Sequence, residues 1–415
     1  MERTLLVTVK SDRDKDAFSP KDQEQELMEL AKTAGAHVED YIICSRDKLT
    51  SGLYIGRGKA QEIALLCQEN SIDTIIFNND LSGTQQRNLE EIINRKTIDR
   101  TQLILDIFVR HAHSPEASLQ VELAQLEYLL PRLTGKGIFL SRLGGGIGTR
   151  GPGETKLEVD RRRIRRRITK ISHDLETVRM RRQALRKQRK ESCIASVSLV
   201  GYTNAGKTSL LNTLTQENQS VRESLFTTLD TLSRSFKLPN HQKIVTSDTV
   251  GFLQNLPHHL IEAFKATLDE VKEADLLIHV LDVSHPLAYE RSKAVLKVLK
   301  ELGADQKPTI TALNKIDKLA DRDWLVRYHH DFPNAVTISA KTRENLDELL
   351  DKIEEELRDS FLAVELTIPI EKMALVDLIY REGQVKSIEY SEKGVKIEAV
   401  LPALTISKLS AYIKS

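Results

Sequence analysis

The sequence predicts an α/β protein of several domains, with a long helical segment between two α/β segments. Short apolar runs alternate with helical stretches in residues 1–115, for example at 4–9, 73–78 and 101–109, and this alternation favours strands of a small parallel sheet. From residue 193 the apolar runs are near-continuous, as in parallel strands that are buried on both faces. Between the two segments, leucine and isoleucine recur at heptad spacing, which predicts paired helices.

Three helices are predicted between the strands of the first domain. They cover residues 21–35, 59–70 and 84–96, and Ser82 is a candidate N-cap for the third. The segment GRGKAQE, residues 56–62, is a weak echo of a phosphate-binding loop that lacks the full spacing. Whether this domain holds a second nucleotide site is therefore an open question at this point.

Residues 116–192 are predicted to form a hairpin of two helices. Their apolar seams are too narrow to be stable alone in water, so the simplest arrangement pairs the helices antiparallel. The connection, residues 134–156, holds eight glycines in 23 residues, and a loop of that length is usually functional or mobile. The seam residues are Leu119, Leu123, Leu126, Leu130 and Leu133, followed by Leu157, Ile164, Ile168, Ile171, Leu175, Val178 and Leu185.

Charge is balanced over the whole chain but concentrated in one place. Lys and Arg number 61 against 60 Asp and Glu, which excludes a histone-like polycation. Residues 160–190 carry fourteen basic and three acidic residues, a net charge of +11, so the remainder of the chain sums to −10. Like charges at helical spacing repel, which indicates an anionic partner such as RNA, with a solvated helix face as the alternative. The candidate RNA-binding residues are Arg161, Arg162, Arg163, Arg165, Arg166 and Arg167.

Cysteine and hydropathy patterns indicate in which cellular compartment the protein works. The three cysteines are far apart and form no CxxC pair, which argues against a zinc ribbon, a redox motif or a disulfide framework. No apolar run approaches the roughly 20 residues needed to span a bilayer. The N-terminus shows no signal-peptide pattern. We therefore expect a cytoplasmic protein. We also expect a monomer in free solution.

One segment of the second α/β region matches a phosphate-binding loop. Gly201 to Thr208 reads GYTNAGKT, which fits G-x-x-x-x-G-K-[ST] and stands between a predicted strand and a predicted helix. The glycines let backbone N–H groups turn toward the phosphates at the helix N-terminus. Lys207 is expected to reach the β- and γ-phosphates, and the Thr208 hydroxyl is expected to ligate Mg²⁺.

Further motifs predict which nucleotide is bound. Asp248 ends a predicted strand, where it can hold Mg²⁺ through water, and the N–H of Gly251 can meet the γ-phosphate. In Asn314-Lys-Ile-Asp317 the last carboxylate can accept two N–H groups of guanine, a pattern that adenine lacks. Ser339-Ala-Lys341 can offer a backbone N–H to the guanine carbonyl. These motifs stand in the order of a GTPase domain.

The segment between the phosphate loop and Asp248 predicts a nucleotide-sensing switch. Thr228 is the expected switch threonine on Mg²⁺. Ras-like proteins place a water-orienting Gln where this chain has Phe252, which cannot orient water. Unless a different residue takes that role, we expect slow intrinsic hydrolysis that a partner or an ion accelerates. Asn204 occupies the position at which potassium-activated GTPases coordinate a cation, and this resemblance adds K⁺ as a candidate.

The chain closely resembles the HflX family of GTPases over nearly its whole length, least so beyond residue 360. The most specific stretch is GTRGPGETKLEVDRRRIRRRI, residues 148–168, and the other matching segments are DRTQLILDIF, SLQVELAQLEYLLPRL, LSGTQQRNLEEI, GYTNAGKTSL, LFTTLD and DTVGF. The resemblance implies a protein that binds the large ribosomal subunit and its RNA, hydrolyses GTP there and splits stalled or idle ribosomes. One departure is Thr231-Leu-Ser, where Pro-Thr-Thr is expected in relatives.

The resemblance also implies the residues of the site. Lys207, Thr228, Gly251 and Asn204 are expected to act in catalysis, with Thr208 and Thr228 directly on Mg²⁺ and Asp248 through water. The expected contacts to GTP or GDP are Gly201, Tyr202, Thr203, Asn204, Ala205, Gly206, Lys207, Thr208, Phe226, Thr227, Thr228, Leu229, Asp230, Asp248, Thr249, Val250, Gly251, Asn314, Lys315, Ile316, Asp317, Ser339, Ala340 and Lys341.

Four domains are expected on this interpretation. Residues 1–115 form an N-terminal α/β domain, 116–192 a coiled-coil-like hairpin arm with a Gly-rich tip and a basic helix, and 193–360 a P-loop GTPase domain. Residues 361–415 form a small α+β domain with a strand, a helix, a hairpin and a last helix.

Two other functions stay open at this point. An RNA-remodelling ATPase could act through the N-terminal domain, with the GTPase domain as its regulator, because some relatives are reported to bind ATP there. A pure RNA-binding module would leave Lys207 and Asp248 without a purpose. The guanine-specific motif favours GTP-dependent ribosome dissociation, in which the γ-phosphate and Mg²⁺ order the switch and reposition the basic arm.

Overall fold

A computed structural model describes most of the chain, in two compact units. The first unit comprises residues 1–178 with 223–230 and 255–265, and the second comprises the remaining residues. This division is coarser than the four expected domains, which stay a prediction. The described residues are 2–10, 19–45, 50–133, 156–191, 194–216, 226, 232–240, 242–254, 265–357, 361–391, 394–402, 405–406 and 409–413.

The first unit contains a four-stranded parallel sheet in the order β2-β1-β3-β4. Helices α2 and α3 cover one face of this sheet, where they pack on Leu5, Val7, Ile75 and Phe77. Helices α1 and α4 contact the strands as well. The strands are β1 Arg3–Lys10, β2 His37–Ser45, β3 Thr74–Phe77 and β4 Lys96–Asp99, and the helices are α1 Pro20–Thr33, α2 Arg57–Glu69, α3 Gly83–Ile93 and α4 Arg100–His111.

The strand predicted at 101–109 is wrong, because this run lies within helix α4. Asp99 starts the helix, since its side chain accepts a hydrogen bond from the backbone N–H of Gln102. Only the four residues of β4 remain for the last strand. Leu103, Ile104, Ile107 and Phe108 are buried at helical spacing, so the apolar run covers the face of a helix.

The two heptad seams both form helices, as predicted. They are α5 Pro115–Arg132 and α6 Lys156–Glu191. Within the first unit, Arg167 of α6 makes two hydrogen bonds of 2.6 Å with the carboxylate of Glu122 on α5, and Ile171 of the second seam is fully buried. Most of the predicted Gly-rich connection, 134–155, lies outside the described residues. Antiparallel pairing of the two helices stays a prediction.

The second unit contains a six-stranded sheet in the order β10-β9-β8-β5-β7-β6, with only β6 antiparallel to its neighbour. Helices α7 and α11 pack on one face, and α9 and α10 contribute to a separate core cluster. The strands are β5 Ala195–Gly201, β6 Leu232–Lys237, β7 Lys243–Asp248, β8 Leu276–Asp282, β9 Thr309–Asn314 and β10 Ala335–Thr337. The helices are α7 Lys207–Thr215, α8 Lys265–Glu273, α9 Ala288–Glu301, α10 Leu325–Asp331 and α11 Leu346–Glu356.

The end of the second unit is a small antiparallel sheet with one helix. Strands β11 Phe361–Ile368, β12 Gln384–Ser391 and β13 Gly394–Pro402 pair in the order β11-β13-β12, and α12 Met373–Glu382 packs into their core. The predicted hairpin is therefore present, whereas the described part of the last predicted helix includes a 3₁₀ turn at Ser410–Tyr412. In the part of the chain that is described, no helix has the length and apolar character to cross a membrane.

Candidate nucleotide-binding site

The phosphate-loop motif lies between the end of β5 and the start of α7. β5 stops at Gly201 and α7 begins at Lys207, so the loop emerges at the carboxyl edge of the parallel strands. Gly206 has φ +98°, and a Cβ at this position would lie 2.4 Å from Asn314 Nδ2. A Cβ at Gly201 would lie 2.4 Å from the carbonyl oxygen of Val280. Both glycines of the motif are therefore required by the local backbone.

Lys207 is a buried cation within this loop. Its Nζ donates to the carbonyl oxygens of Gly201 at 3.2 Å and Tyr202 at 3.0 Å. Burial lowers the pKa of Lys207 to about 8, although the nearby Asp248 carboxylate opposes the shift. Its charged form would be stabilised by added negative charge, which is what phosphate groups provide.

Thr208 and Asp248 bring a hydroxyl and a carboxylate together. Thr208 Oγ1 donates to Asp248 Oδ2 at 2.7 Å, from the start of α7 to the end of β7. Asp248 is fully buried. Carboxylate and hydroxyl oxygens are the hard ligands that Mg²⁺ binds beside phosphates, so this pair fits that ion.

Gly251 and Phe252 run close against the phosphate loop. A Cβ at Gly251 would lie 2.8 Å from Thr203 Cα and 3.2 Å from Lys207 Nζ. The Phe252 N–H donates to the carbonyl of Gly201 at 3.1 Å, and its own carbonyl accepts from Thr203 N at 2.9 Å. The Phe252 ring is buried. The position after Gly251 therefore serves the core, which explains an aromatic residue in place of glutamine.

The guanine-specificity motifs meet through Asn314. This buried side chain donates from Nδ2 to the carbonyl of Ala205 at 2.9 Å and accepts at Oδ1 from Ala340 N at 3.0 Å. Asp317 Oδ1 accepts from Ser339 Oγ at 2.7 Å. One asparagine thus ties the phosphate loop to the Ser339 segment, while the serine orients the carboxylate that is expected to read guanine.

Asp282 belongs to the same cluster, although it lies outside the recognised motifs. It ends β8 in register with Asn314 of β9, and its Oδ2 lies 2.7 Å from Lys315 Nζ. The same Nζ donates to the carbonyl of Asn204 at 2.7 Å, where the backbone has φ +60°. An acidic residue at the end of the strand beside Asn314 was the available sequence signal. The Asn204 side chain itself is exposed.

Some expected contacts belong to the first unit or lie outside the described residues. Phe226 belongs to the first unit, where its buried ring packs edge-on against Phe108 with centroids 4.7 Å apart. Lys341 is exposed. The expected switch residues Thr227, Thr228, Leu229 and Asp230 lie outside the described residues. Further expected contacts that are buried include Tyr202, Thr203, Ala205, Thr249, Val250, Ile316 and Ala340.

The arginine-rich turns of α6 present most of their side chains to solvent. Arg161 is half-buried. Arg163 is exposed, and its Nη1 lies 3.8 Å from Asp160 Oδ1. Arg167 is exposed but engaged by Glu122. The other exposed arginines are Arg162, Arg165 and Arg166.

Four family descriptions match almost all of the chain. "GTP-binding GTPase N-terminal" covers residues 21–109 and "GTP-binding GTPase Middle Region" covers 111–189. "50S ribosome-binding GTPase" covers 196–315, and "HflX C-terminal domain" covers 325–410.

Individual proteins match along most or all of the chain as well. A protein named GTPase HflX from Caldanaerobacter subterraneus subsp. tengcongensis is 45% identical over 422 residues, which cover 100% of this chain and 94% of that protein. The GTPase HflX of Escherichia coli K12 is 38% identical over 410 residues, which cover 98% of this chain and 95% of that protein. A GTP-binding protein of Sulfolobus solfataricus, solved with GDP, is 27% identical with a TM-score of 0.45, covering 86% of this chain and 99% of that one.

Proposed function

Because the chain belongs to the HflX family of GTPases and hydrolyses GTP, we propose that it binds the large ribosomal subunit and dissociates stalled or idle ribosomes. The family that matches residues 196–315 is described as a 50S ribosome-binding GTPase, which supports a ribosomal partner. The observation that carries the proposal is that one chain holds both an assembled guanine-nucleotide cluster and an exposed arginine-rich helix. Since ribosomes work in the cytoplasm, a cytoplasmic location is part of the proposal.

The nucleotide roles follow from the contacts of the cluster. The loop 201–208 binds the phosphates through its N–H groups and Lys207, and the N–H of Gly251 meets the γ-phosphate. The carboxylate of Asp317, oriented by Ser339, accepts the two N–H groups of guanine. The hydrogen bonds of Asn314 connect the phosphate-binding loop at Ala205 to the guanine-binding segment at Ala340, so the two parts of the site keep a fixed separation.

Thr208 and Asp248 would hold Mg²⁺, the first directly and the second through water. When bound, the ion supplies positive charge that stabilises the negative charge of the transferring phosphoryl group. The carboxylate of Asp248 already accepts the Thr208 hydroxyl, so the two oxygens need little rearrangement to share an ion. Thr228 would add the switch ligand.

Hydrolysis is proposed to be slow in the free protein. Phe252 is buried and carries no group that can orient water, so assistance must come from elsewhere. The exposed side chain of Asn204 stands on the loop whose backbone is braced by Lys315, where it could hold K⁺ beside the phosphates. A cation there would supplement Lys207 in stabilising developing charge.

The exposed arginines of α6 are proposed to contact ribosomal RNA. Arg163, Arg165 and Arg166 are exposed, whereas Arg167 is held by two hydrogen bonds to Glu122. Phosphate contacts release condensed counterions, so binding through these arginines must depend steeply on salt. Arg161, Arg162 and Arg167 are assigned to the same surface, although Arg161 is half-buried and Arg167 is held by Glu122.

The experiment measures ribosome affinity at several salt concentrations for Arg163→Gln/Arg165→Gln/Arg166→Gln. If all three side chains bind phosphates, the slope of log affinity against log salt becomes shallower by about 2–3 units. GTP affinity should stay unchanged, because glutamine keeps helix propensity and the arginines lie outside the nucleotide cluster. Arg167→Gln is the matched control, which should lower thermal stability and leave most of the salt slope. An unchanged slope in the triple variant would contradict the proposed surface.

The same assay separates the alternative of an ATP-driven RNA-remodelling enzyme. The weak phosphate-loop echo at 56–62 lies at the start of α2, where Lys59 Nζ lies 2.6 Å from Glu62. Ribosome binding that responds to GTP and not to ATP supports the proposal. A response to ATP that persists after Asp317→Asn would favour the alternative.

A further inference from the structure

A cavity of about 580 Å³ lies within the first unit, beside helix α4. Strands β1, β3 and β4, the end of α1 and the helices α4 and α5 all contribute to its lining. The strand residues that reach it include Thr4, Thr74 and Ile76, which alternate along the strands with the residues that pack under α2 and α3. The cavity is therefore on the opposite face of the sheet, and its volume is in the range of small-molecule sites.

The lining of this cavity combines apolar groups with charges of both signs. Ile76, Ile98 and Leu103 supply a buried apolar surface. Two acidic and two basic side chains also line the cavity: Glu2, Asp106, Lys96 and Arg110. Their formal charges cancel, so the cavity does not attract a polyanion such as a triphosphate. It suits a small molecule that has an apolar part and carries charges of both signs.

Two of the four charges have no partner in the described part of the chain. Lys96 Nζ lies 3.3 Å from Glu2 Oε2, and the same carboxylate oxygen accepts from Thr74 Oγ1 at 2.9 Å. Asp106 and Arg110 lie one turn apart on α4, yet they form no ion pair or hydrogen bond with each other or with another described residue. Burial raises the pKa of Asp106, although the charges of Lys96 and Arg110 oppose the shift. A bound cationic group would therefore stabilise this carboxylate.

Arg110 and Gln125 offer further free hydrogen-bonding groups. A Cβ at Gly35 would lie 2.8 Å from Arg110 Nη1, so the guanidinium lies directly against the glycine backbone at the cavity. Gln125 of α5 is half-buried, and its amide makes no hydrogen bond within the described residues. The cavity thus presents a carboxylate that accepts, a guanidinium that donates and an amide that does both.

We propose that this cavity binds a free L-amino acid with an apolar side chain. The ammonium group of the ligand meets Asp106, and its carboxylate accepts from the guanidinium of Arg110. Side chains four residues apart are neighbours on a helix, which suits two ligand charges that are separated by a single carbon atom. The apolar side chain of the ligand packs on Ile76, Ile98 and Leu103. The proposal depends neither on GTP nor on the ribosome.

The test is titration calorimetry of the full chain, saturated with GDP so that the nucleotide cluster is occupied. The probes are the apolar L-amino acids from valine to tryptophan, and at least one should bind one-to-one with a Kd below about 1 mM. Analogues of the binder that lack its ammonium or its carboxylate group should bind about tenfold or more weakly, because each loses a charge-assisted hydrogen bond. For phenylalanine these analogues are 3-phenylpropanoate and 2-phenylethylamine.

Two substitutions remove one charge each from the cavity. Asp106→Asn and Arg110→Gln should each weaken binding about tenfold or more, and each should remove most of the rise in melting temperature that the amino acid causes. Without ligand, both variants should melt close to the wild type, because neither side chain makes a hydrogen bond in the described part of the protein. Glu91→Gln and Arg57→Gln are the matched controls, since both residues are exposed on the helices of the other face, and they should keep the affinity.

Four results would each overturn the proposal. They are no binding by any of the amino acids, equal binding by the analogues, wild-type affinity in the folded variants, and displacement of the amino acid by ATP in the GDP-saturated chain. If Asp106→Asn fails to fold, Arg110→Gln decides the matter alone, because Arg110 is exposed. Neither ribosomes nor GTP hydrolysis enter the experiment, so its failure is distinct from failure of the proposed function.

Discussion

The Lys207 ammonium is buried in the phosphate loop, and this burial lowers its pKa from 10.5 to about 8. With the folded pKa below the ordinary value, the unfolded chain binds more protons between these two pH values, so stability due to this group rises with pH in that window. Phosphates favour the charged ammonium. We therefore predict that GTP binding takes up protons above about pH 8 and weakens as pH rises there.

Calorimetry in buffers of different ionisation heat measures this proton uptake. At about pH 8.5 a substantial fraction of a proton should be taken up per GTP bound, and at about pH 7 very little, because Lys207 is then already charged. Equal uptake at the two pH values would contradict a depressed pKa for this lysine.

Asp317 is the residue from which we predict guanine selectivity. Asp317→Asn keeps the shape of the side chain but sets an amide group against the guanine N–H groups. GTP affinity should fall by about 2–5 kcal/mol, and xanthosine triphosphate should bind better than before. Nucleotide titration measures both changes. Asp321→Asn, at an exposed aspartate nearby, is the control that should leave affinity unchanged; tight, guanine-selective binding by the Asp317 variant would remove this residue from the site.

At the scale of elements, the start of α4 depends on one buried carboxylate. Asp99 accepts from Gln102 N and Tyr128 Oη at 2.8 Å, from Arg132 Nη2 at 2.9 Å and from Leu81 N at 3.2 Å. Burial nevertheless raises the pKa of Asp99, since desolvation outweighs these donors. Asp99→Ala would leave four donors without this acceptor.

We predict that Asp99→Ala destabilises α4 and the end of α5 by about 3–5 kcal/mol, as expected when one partner of a buried ion pair is lost. Native-state hydrogen exchange of the α4 amides reports this change locally. Glu62→Ala, which removes an exposed partner of Lys59, should change stability by less than about 0.5 kcal/mol. Similar effects of the two substitutions would refute a special role for Asp99.

Helix α4 also shows why its secondary structure could not be predicted from the apolar pattern alone. The run 101–109 is apolar and rich in β-branched and aromatic residues, so a strand and a buried helix look alike in it. Asp99 is the helix-start signal that resolves the ambiguity. The glycine and lysine motif at 201–208 was predictable, because the spacing of its glycines and lysine is the one that a phosphate-binding loop requires.

At the scale of the whole molecule, hydrolysis should depend on ions and partners. Because Phe252 cannot orient water, we predict slow basal turnover that rises when ribosomes are added. Potassium should also give faster turnover than sodium, and Asn204→Ala should remove that difference. Phosphate release measured in each salt, with and without ribosomes, tests both parts. Equal rates in the two salts would exclude the ion, and equal rates with and without ribosomes would exclude stimulation by the partner.

Long-range charge pairs are the part of the molecule that the sequence could not predict. The net charge of +11 over 160–190 was visible, but which arginines are engaged within the protein was not. Glu122 pairs with Arg167, and Asp269 and Glu270 pair with three arginines further along α6. These partners are brought together only by tertiary packing. The basic helix is therefore a mixture of internally paired and solvent-facing charges.

We propose above all that GTP bound by this chain drives apart the two ribosomal subunits. Light scattering of intact ribosomes, mixed with the full chain and GTP, a non-hydrolysable analogue, GDP or ATP, measures this most directly. We predict rapid loss of scattering with GTP and with the analogue, little with GDP or ATP, and little with Arg163→Gln/Arg165→Gln/Arg166→Gln under any condition. Scattering that stays constant with GTP, or that falls equally with GDP, would contradict the account.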